Sequence, residues 1–310
     1  MLSSLRQMPR THIQIGSKRF VIQGRFIRIA SLEQEWYDDL EDPDAAIASL
    51  GRVAPSADIL TFWQRLPEIA PKYAYRMEPD AIAALPIKNY TLWWDKQLDS
   101  KTRNMVRRAQ KKGVIVGMTE FDDSFVEGMK SIFNETPIRQ GKRFWHYGKD
   151  VETLKREFSR FLFREEIFGA YLDGELIGFI MLGFAGNYAT LGQIISKIAH
   201  RDKATNNMLI AKAVERCAEK GVPYLVYAKW EDGSLGDFKR HNGFERVDLP
   251  RYFVPLTLKG RIFTALRLHR GFGRSVPAPA LRWIKRARRR ITEVRYRSRG
   301  PGKLCNVKRV

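Results

Sequence analysis

The chain has 310 residues, of which 55 are Lys or Arg and 34 are Asp or Glu, so its formal net charge is +21. With 44% hydrophobic residues it is long and apolar enough to bury a core, which excludes a wholly disordered or histone-like chain. The charge is uneven, because residues 261–310 hold sixteen basic residues and one acid, against 39 and 33 in residues 1–260. The sequence therefore predicts a mildly basic globular body with a strongly basic C-terminal extension.

Cysteine and histidine usage argues against a metalloprotein or a disulfide scaffold. The two cysteines, Cys217 and Cys305, are too few and too far apart for either a disulfide framework or a zinc site. The five histidines are scattered, so we expect no metal. No apolar run reaches about 18 residues and the N-terminus has no signal-like stretch, so we expect a cytoplasmic protein.

Residues 1–99 are predicted to form a small β-rich accessory region. Short alternating segments suggest strands of an antiparallel sheet at residues 12–15, 20–23 and 26–29. Residues 33–44 then hold seven acids in twelve positions. This stretch favours a solvated helix and turn, and pairing with the basic extension is the alternative. Aromatic-rich segments at 58–64 and 90–94 are expected to pack against the rest of the chain.

Residues 100–113 are predicted to form a basic amphipathic helix. They hold six Lys or Arg and no acid. Ser100 is the expected N-cap, a narrow apolar stripe runs through Met105, Val106 and Ala109, and Gly113 ends the helix.

The main domain is predicted over residues 100–260, and its elements from residue 114 onward are strand, helix, helix, three strands, helix, strand, helix, strand. Asp173-Gly174 between the first two of the three strands is a strong hairpin signal. Cys217 falls on the apolar stripe of the helix that starts at Thr205, which indicates a buried thiol. This order predicts a mixed α/β (α+β) fold with a central mixed sheet flanked by helices. The sequence lacks both the GxGxxG and GxxxxGK[ST] motifs, so neither a dinucleotide site nor a P-loop is expected.

The order of elements over about residues 114–257 resembles the GNAT acyltransferase fold. Two segments are similar to the Fem-type aminoacyl transferases within that superfamily. One is the basic helix at 101–112 with Gly113-Val114 after it, and the other is Asp-Phe-Lys-Arg-His-Asn-Gly-Phe at 237–244. Fem-type enzymes have two similar lobes, whereas residues 1–99 are short and irregular for a full lobe. The resemblance implies an N-acyltransferase that moves an acetyl or aminoacyl group from an activated donor onto an amine.

The segment at 201–206 bears on the donor. Acetyl-CoA-using relatives carry Arg/Gln-x-x-Gly-x-Gly/Ala there, so that bare backbone N–H groups approach the pyrophosphate at a helix N-terminus. This chain reads Arg-Asp-Lys-Ala-Thr-Asn, and side chains occupy both glycine positions. Fem-type relatives also lack the motif. The donor is therefore left open between acetyl-CoA or another acyl-CoA and an aminoacyl-tRNA, with no resident cofactor. Polar and basic residues in and beside this segment are the candidates for donor binding: His200, Arg201, Lys203, Asn206 and Asn207. Helix capping is the alternative role for the two asparagines.

Acyl transfer to an amine needs a neutral nucleophile and a positive or hydrogen-bonding group where the oxyanion develops. The resemblance assigns that second role to Lys239, next to the apolar anchor Phe238 that we expect to contact substrate. Gln193 lies in an otherwise apolar strand and needs a partner if it is buried. Substrate contact and a structural hydrogen bond are both open for it.

The loop at residues 134–148 is rich in groups that no turn requires. Glu135 and His146 are candidates for the general base, and Arg139 and Tyr147 for substrate binding, with Arg139 holding a carboxylate or phosphate. The alternative is a loop held by its aromatic residues, in which Arg139 pairs with Glu135.

The C-terminal extension, residues 261–310, is predicted to be helical. From residue 280 to 294 apolar residues recur at helical spacing with six Lys or Arg between them. Such a basic amphipathic helix is typical of a segment that lies on an anionic membrane or follows a phosphate backbone. We therefore expect tRNA or an anionic membrane surface as partners through residues 101–112 and 261–310, the membrane placing the protein at the inner face. The alternatives are that the stripe docks on the body, or that the whole protein is a non-catalytic RNA- or membrane-binding protein on a GNAT-like scaffold.

Overall fold

One sheet of eleven strands runs through the residues that the computed structural model describes, 10–52 and 57–268. Across the sheet the order is β1-β2-β3-β4-β13-β5-β12-β11-β10-β9-β6, and β7 and β8 form a separate hairpin. In chain order the strands are β1 Arg10–Ile15, β2 Lys18–Gln23, β3 Ile29–Leu32, β4 Ile59–Trp63, β5 Arg76–Pro86, β6 Ile115–Thr119, β7 Ile138–Arg139, β8 Lys142–Arg143, β9 Glu165–Leu172, β10 Glu175–Ala185, β11 Tyr188–Ser196, β12 Tyr224–Lys229 and β13 Glu245–Pro255.

Helices cover both faces of this sheet. They are α1 Pro43–Leu50, α2 Tyr90–Leu92 with a π turn Trp93–Gln97, α3 Ser100–Lys111, α4 Asp123–Asn134, α5 Val151–Phe158 with a 3-10 turn Ser159–Arg164, α6 Thr205–Glu219 after a 3-10 turn Arg201–Lys203, α7 Ser234–His241 and α8 Leu258–Ala265. Four begin at an aspartate whose carboxylate accepts a backbone N–H of the first turn: Asp42, Asp99, Asp122 and Asp150. The N-cap of α3 is thus Asp99, and the expectation of Ser100 is wrong.

The two faces of the β9–β12 half carry separate cores. On one face α3 and α6 pack against the sheet, with Val106, Leu209 and Phe168 in the same buried cluster. On the other face α4 and α5 pack through a cluster that includes Phe133 and Phe179. The predicted mixed sheet with flanking helices is confirmed. Because helices cover both faces, a molecule can reach a strand only where these helices leave it accessible.

Most predicted strands and helices are present with small shifts at their ends. Asp173 and Gly174 both have positive φ, 52° and 82°, as a two-residue hairpin turn requires. The predicted strand at 26–29 is wrong, because β3 begins only at Ile29 and Phe26 lies exposed in the preceding loop. Strand β5 was not predicted, since Pro79 and the terminal Pro86 argue against a central strand.

Strand β5 joins the N-terminal region to the rest of the sheet. It pairs with β13 on one side and with β12 on the other, antiparallel in both cases. The strands of residues 1–99 therefore continue the same sheet as the strands of residues 100–260.

The acidic stretch forms ion pairs both with its own N-terminal region and with residues 100–260. Its members Glu35, Asp38 and Asp39 bind Arg251, Arg164 and Arg65, at 3.0, 3.1 and 3.5 Å respectively. A solvated helix is found only over α1, at the end of the stretch. Most of the alternative partner, the basic extension, lies at residues 269–310, outside the described residues, and so does the amphipathic segment at 280–294.

Cys217 is fully buried, and burial raises the pKa of its thiol to about 12, which confirms the expected buried thiol. Within the described ranges, none of the helices is both long and apolar enough to cross a membrane.

Candidate functional site

Strands β11 and β12 pair in parallel over three residues only, Tyr188–Thr190 of β11 with Tyr224–Val226 of β12. Beyond them both strands are irregular. Strand β11 bulges at Gly192, because Leu182 of β10 pairs with Leu191 while Met181 pairs with Gln193. The pairing of β12 with β5 shifts between Val226 and Lys229. Bulges of this kind bend strands and redirect side chains, often beside active sites. We call the gap between Leu191–Ser196 and Tyr227–Lys229 the strand opening.

Lys239 of α7 lies against the end of β12, on one side of the strand opening. It is 1% exposed, and its Nζ donates a hydrogen bond to the carbonyl oxygen of Lys229, 2.6 Å away. The ammonium group also lies 4.6 Å from the centre of the Tyr227 ring. Burial lowers the pKa of Lys239. An ammonium has three donors, so two N–H groups remain for a ligand or solvent.

The backbone just before Lys229, whose carbonyl oxygen accepts the bond from Lys239, has an unusual conformation. Ala228 has φ of 49°, a left-handed conformation that is uncommon for a residue with a Cβ. Such outliers persist only where the surroundings fix them, and they cluster at functional sites.

Within the part of the chain that the structure describes, three buried side-chain oxygens at or near the start of α6 have no hydrogen-bond partner. Asn242, beside Lys239 on the chain, donates through Nδ2 to Asn207 Oδ1, 3.2 Å away, and to the carbonyl oxygen of Phe238. Its own Oδ1 is unpaired, as are Thr205 Oγ1 and Asn206 Oδ1. We call Thr205, Asn206, Asn207 and Asn242 the α6 polar cluster. Unpaired buried polar atoms are rare in folded proteins, so these three oxygens are candidates for contact with a ligand or water.

The turn before α6 keeps a glycine-like backbone although it has no glycine. Ala204 occupies the first glycine position of the motif discussed above, and its φ is 51°, in the left-handed region. No side chain caps α6, so the first N–H groups of the helix are left without such a partner. The backbone turn is thus present, with a methyl group in place of hydrogen.

Basic groups surround this helix start. Helix α3 packs on α6, and Lys112 at its end binds Asp202 Oδ2 at 3.0 Å. Two of the predicted donor-binding residues are also here: Arg201 is exposed, and the Nζ of Lys203 lies 3.7 Å from the Asp202 carboxylate. Four further basic side chains of α3 are exposed: Lys101, Arg107, Arg108 and Lys111. The remaining candidate, His200, lies 3.5 Å from Glu175. The surface beside the α6 polar cluster therefore suits an anion.

A tyrosine–glutamate pair lies on the opposite face, behind the β11 side of the strand opening. Tyr37 donates its hydroxyl to Glu165 Oε1 at 2.5 Å. Both groups border the bulge, since a Cβ placed on Gly192 would lie 3.3 Å from Glu165 Oε1 and 3.8 Å from the Tyr37 oxygen. Gly192 itself is exposed. Burial raises the pKa of Glu165. Neither residue was among the predicted site residues, and 128 positions separate them along the chain.

Gln193, next to the bulge, is half-buried and pairs with Met181, whose side chain belongs to the α4–α5 core. Directly paired residues share a face, so Gln193 lies on the same face as Glu165. Phe238 is half-buried and packs against the α3–α6 core on the other face.

Glu135 and Arg139 are occupied by contacts within the protein. The Glu135 carboxylate accepts backbone N–H bonds from Ile198 and Ala199, at 2.6 and 2.7 Å, and pairs with Arg139 at 3.1 Å. Arg139 also donates to the carbonyl oxygen of Ser196 at 3.0 Å. The two residues hold the segment that follows β11, in the arrangement that the sequence offered as the alternative.

His146 is packed among aromatic rings. It stacks on Phe133 with ring centres 4.7 Å apart, and it also contacts Phe144 and Phe158. Burial and the nearby Lys149 lower its pKa to about 4, so the ring is neutral near pH 7. Tyr147 beside it is half-buried. The structure thus groups Lys239 with the asparagines of α6, while Glu135, Arg139 and His146 form the loop between α4 and α5.

The acetyltransferase (GNAT) family matches residues 126–244, which span α4 to the end of α7 and contain the strand opening. No curated protein matches the chain in sequence. Among solved structures, FemX has a TM-score of 0.58 at 12% identity, covering 85% of this chain and 91% of its own.

Two further solved structures are similar. The C-terminal domain of a putative lysylphosphatidylglycerol synthetase from Agrobacterium fabrum has a TM-score of 0.56 at 13% identity, covering 86% of this chain and 93% of its own. L-PGS from Bacillus licheniformis has a TM-score of 0.54 at 13% identity, covering 84% and 88%. At these identities the likeness concerns the fold, while the family match supports acyl transfer in general. Residues 126–244 thus match the GNAT family model, and the fold of the larger chain is similar to that of FemX.

Proposed function

We propose that the protein is an N-acyltransferase that moves an acyl group from a phosphate-bearing donor onto an amine at the strand opening. The observation that carries this proposal is the division of the opening into two chemically different sides. A buried lysine and unpaired polar atoms lie behind β12 and α6, and a carboxyl group lies behind β11 on the opposite face. A donor and an acceptor can therefore approach from opposite faces of the sheet.

The donor is assigned to the α6 side. The first turn of α6, which no side chain caps, and the exposed basic side chains of α3 attract phosphate groups. The unpaired oxygens of Thr205, Asn206 and Asn242 accept hydrogen bonds from the donor's N–H or O–H groups. Acyl-CoA and aminoacyl-tRNA both bring phosphates to such a site. The basic side chains of α3 enlarge the positively charged surface, which suits a longer polyanion such as tRNA.

Lys239 is assigned to the donor carbonyl. As the amine nitrogen attacks, the carbonyl oxygen gains negative charge, and a buried ammonium with two free N–H groups stabilises it. The N–C bond forms, the bond from carbon to the donor's sulfur or oxygen breaks, and the leaving group takes up a proton. Because Lys229 and Tyr227 hold Lys239 in place, its ammonium group does not have to move as the carbonyl oxygen gains negative charge.

Glu165 is assigned to the proton of the amine. Amines are protonated at neutral pH and must lose a proton to attack. Glu165 combines a raised pKa with a position against the exposed bulge of β11, which makes it a better general base than Glu135 or His146. Glu135 instead positions the segment after β11, through its bonds to Ile198 and Ala199.

The acceptor class follows from the proposed chemistry as a primary amine. The name of one fold neighbour, lysylphosphatidylglycerol synthetase, adds lipids to the acceptors worth testing. A lipid acceptor places this protein at a membrane surface. An aminoacyl donor makes tRNA a partner, through residues 101–112.

Donor binding tests the proposal directly. Acetyl-CoA and an aminoacyl-tRNA are each added to the full chain, and the rise in melting temperature is measured, because a ligand that binds only the folded state stabilises it. We expect one of them to stabilise the protein. Stabilisation by neither contradicts the proposal and favours a non-catalytic scaffold.

A matched variant sharpens this test. Thr205→Val removes an unpaired buried hydroxyl and keeps the side-chain shape, so the free protein should be as stable as the wild type or more so. We expect the variant to lose donor-induced stabilisation. Thr264→Val is the control, because its buried hydroxyl already donates to the carbonyl oxygen of Gly260.

A further inference from the structure

Helix α8 packs on the sheet through its smallest residues. Its inward positions are Gly260 and Thr264, both buried. A Cβ on Gly260 would lie 1.9 Å from the carbonyl oxygen of Asp58, so only glycine allows this approach. The hydroxyl of Thr257 caps the helix by accepting the N–H of Gly260 at 3.0 Å and donates to Asp58 Oδ1. The inward face of α8 is therefore fixed.

The large apolar residues of α8 point the other way. Leu258, Ile262 and Leu266 recur every four residues and are 74, 51 and 62% exposed. Phe26, in the loop between β2 and β3, is 71% exposed and lies 5.6 Å from Phe263 between ring centres. We call Phe26, Leu258, Ile262 and Leu266 the α8 apolar face. A helix of a globular protein normally turns such residues inward, so this reversal marks a surface that meets an apolar partner.

The rim of the α8 apolar face is basic. Arg25, Arg261 and Arg267 are exposed around it. Lys259 lies 4.6 Å from the centre of the Phe26 ring and 3.7 Å from the buried Asp58. An anionic partner suits this rim.

Charge also decides between the possible occupants. Residues 269–310, which follow α8 directly, hold fourteen Lys or Arg and one acid. Docking them on a basic rim brings like charges together, whereas an anionic surface attracts both. Three exposed aliphatic side chains and a phenyl ring gain little from a phosphate backbone and much from the acyl boundary of a bilayer.

We propose that the α8 apolar face inserts into the interfacial layer of an anionic phospholipid membrane, with Arg25, Arg261 and Arg267 at the headgroups. The insertion is a property of this surface and does not depend on the proposed acyl transfer. It gives α8, which contains the first residues of the basic extension, the role of an interfacial anchor.

Vesicle sedimentation of the full chain tests this proposal. We expect wild-type protein to bind phosphatidylcholine vesicles that contain phosphatidylglycerol, and to bind pure phosphatidylcholine far less. The variant Phe26→Ser/Leu258→Ser/Ile262→Ser should bind the anionic vesicles at least about tenfold more weakly, because the inserted apolar area is lost. The control Ile115→Ser/Met118→Ser removes two side chains of similar exposure, 70 and 58%, on β6 and should bind as the wild type does.

High salt distinguishes the contribution of apolar insertion to membrane binding from that of electrostatic attraction. At about 1 M salt the Debye length is about 3 Å, so attraction by the basic extension is screened. The residual binding of the wild type should then exceed that of the triple variant while both remain folded by circular dichroism. Equal binding of the two proteins overturns the proposal. It is equally overturned if ultracentrifugation shows a wild-type dimer that the triple variant cannot form, since a second copy then covers the face.

Discussion

The Nζ of Lys239 donates a hydrogen bond to the carbonyl oxygen of Lys229, 2.6 Å away, at the end of the strand that parts from β11. Ten positions separate the two residues along the chain. The bond fixes the only charged group of α7 that is buried, and it uses one of three donors. This contact places a cation at the strand opening, and no acidic side chain of residues 10–52 or 57–268 lies within hydrogen-bond distance of it.

The pair of Tyr37 and Glu165 yields a prediction about pH. Burial raises the pKa of Glu165, and the hydrogen bond from Tyr37 lowers it in part. The carboxylate is the active form, so transfer should fall as the pH drops through a pKa above the usual range of a glutamate. Tyr37→Phe removes the lowering contribution, so the acidic limb should move to higher pH, as measured in the pH profile of kcat/KM.

Controls for this prediction are available in the same chain. Tyr75 also donates to a carboxylate, that of Asp44, but at an exposed site. Tyr75→Phe should leave the profile unchanged. A Tyr37→Phe profile identical to that of the wild type, or a Glu165→Gln variant with full activity, argues against Glu165 as the base.

Ala204 yields a prediction about stability. Its φ of 51° costs a residue with a Cβ about 1 kcal/mol relative to glycine. Ala204→Gly should therefore raise the free energy of unfolding by up to about 1 kcal/mol, measured by urea denaturation, and Ala204→Val should lower it. If glycine destabilises the protein by a similar amount, the turn does not hold the left-handed conformation in solution.

Arg251 is the centre of a partly buried charge cluster. Its Nε donates to Asp80 at 2.8 Å and its Nη1 to Glu35 at 3.0 Å, with 12% of the side chain exposed. Arg251→Met leaves both carboxylates without this partner and should cost about 3 kcal/mol of unfolding free energy. On the same strand, Arg246 pairs with Asp248 at an exposed site, so Arg246→Met should cost less than about 1 kcal/mol. Equal losses for the two variants would contradict the role given to Arg251.

The lowered pKa of His146 predicts that the protein loses stability in acid. Its pKa is lowered from 6.5 to about 4 in the folded protein, chiefly by burial. Between these pH values the unfolded chain takes up a proton that the folded protein does not, so the unfolding free energy falls as the pH falls. The slope from this one residue is at most about 1.4 kcal/mol per pH unit.

The comparison with His146→Phe isolates that contribution. Phenylalanine fits among Phe133, Phe144 and Phe158, so the variant should keep its fold and lose this part of the acid sensitivity. Chemical denaturation from pH 7 to pH 4 provides the measurement, with exposed His241→Phe as the control. If the unfolding free energies of wild type and His146→Phe change in parallel with pH, His146 is not buried in its neutral form.

Local sequence patterns predicted the elements that bury a regular stripe. Helix α4 buries Phe125, Met129 and Phe133 at helical spacing, and it follows β6 as the predicted order of elements required. Strand β5 was missed, because Pro79 and a run of small residues hide a central strand whose partners lie far away in the sequence.

The candidate site was predicted in part for the same reason. The resemblance singled out Lys239, and the structure places it at the strand opening with Asn207 nearby through Asn242. Tyr37 and Glu165 come from segments 128 positions apart, and no local spacing brings them together. Their proximity depends on strand order and on the bulge of β11, which are properties of the assembled sheet.

The central claim is that Lys239 stabilises charge during acyl transfer at the strand opening. The most direct measurement follows a radiolabelled acyl group from acetyl-CoA or from an aminoacyl-tRNA onto a polyamine, a lysine peptide or phosphatidylethanolamine. We predict transfer by the wild type from one donor, and a loss of at least about a hundredfold in kcat for Lys239→Met with folding retained. Arg240→Met, at the exposed neighbouring position, should retain full activity. Unchanged transfer by Lys239→Met, or wild-type transfer from neither donor to any of these amines, would contradict the account.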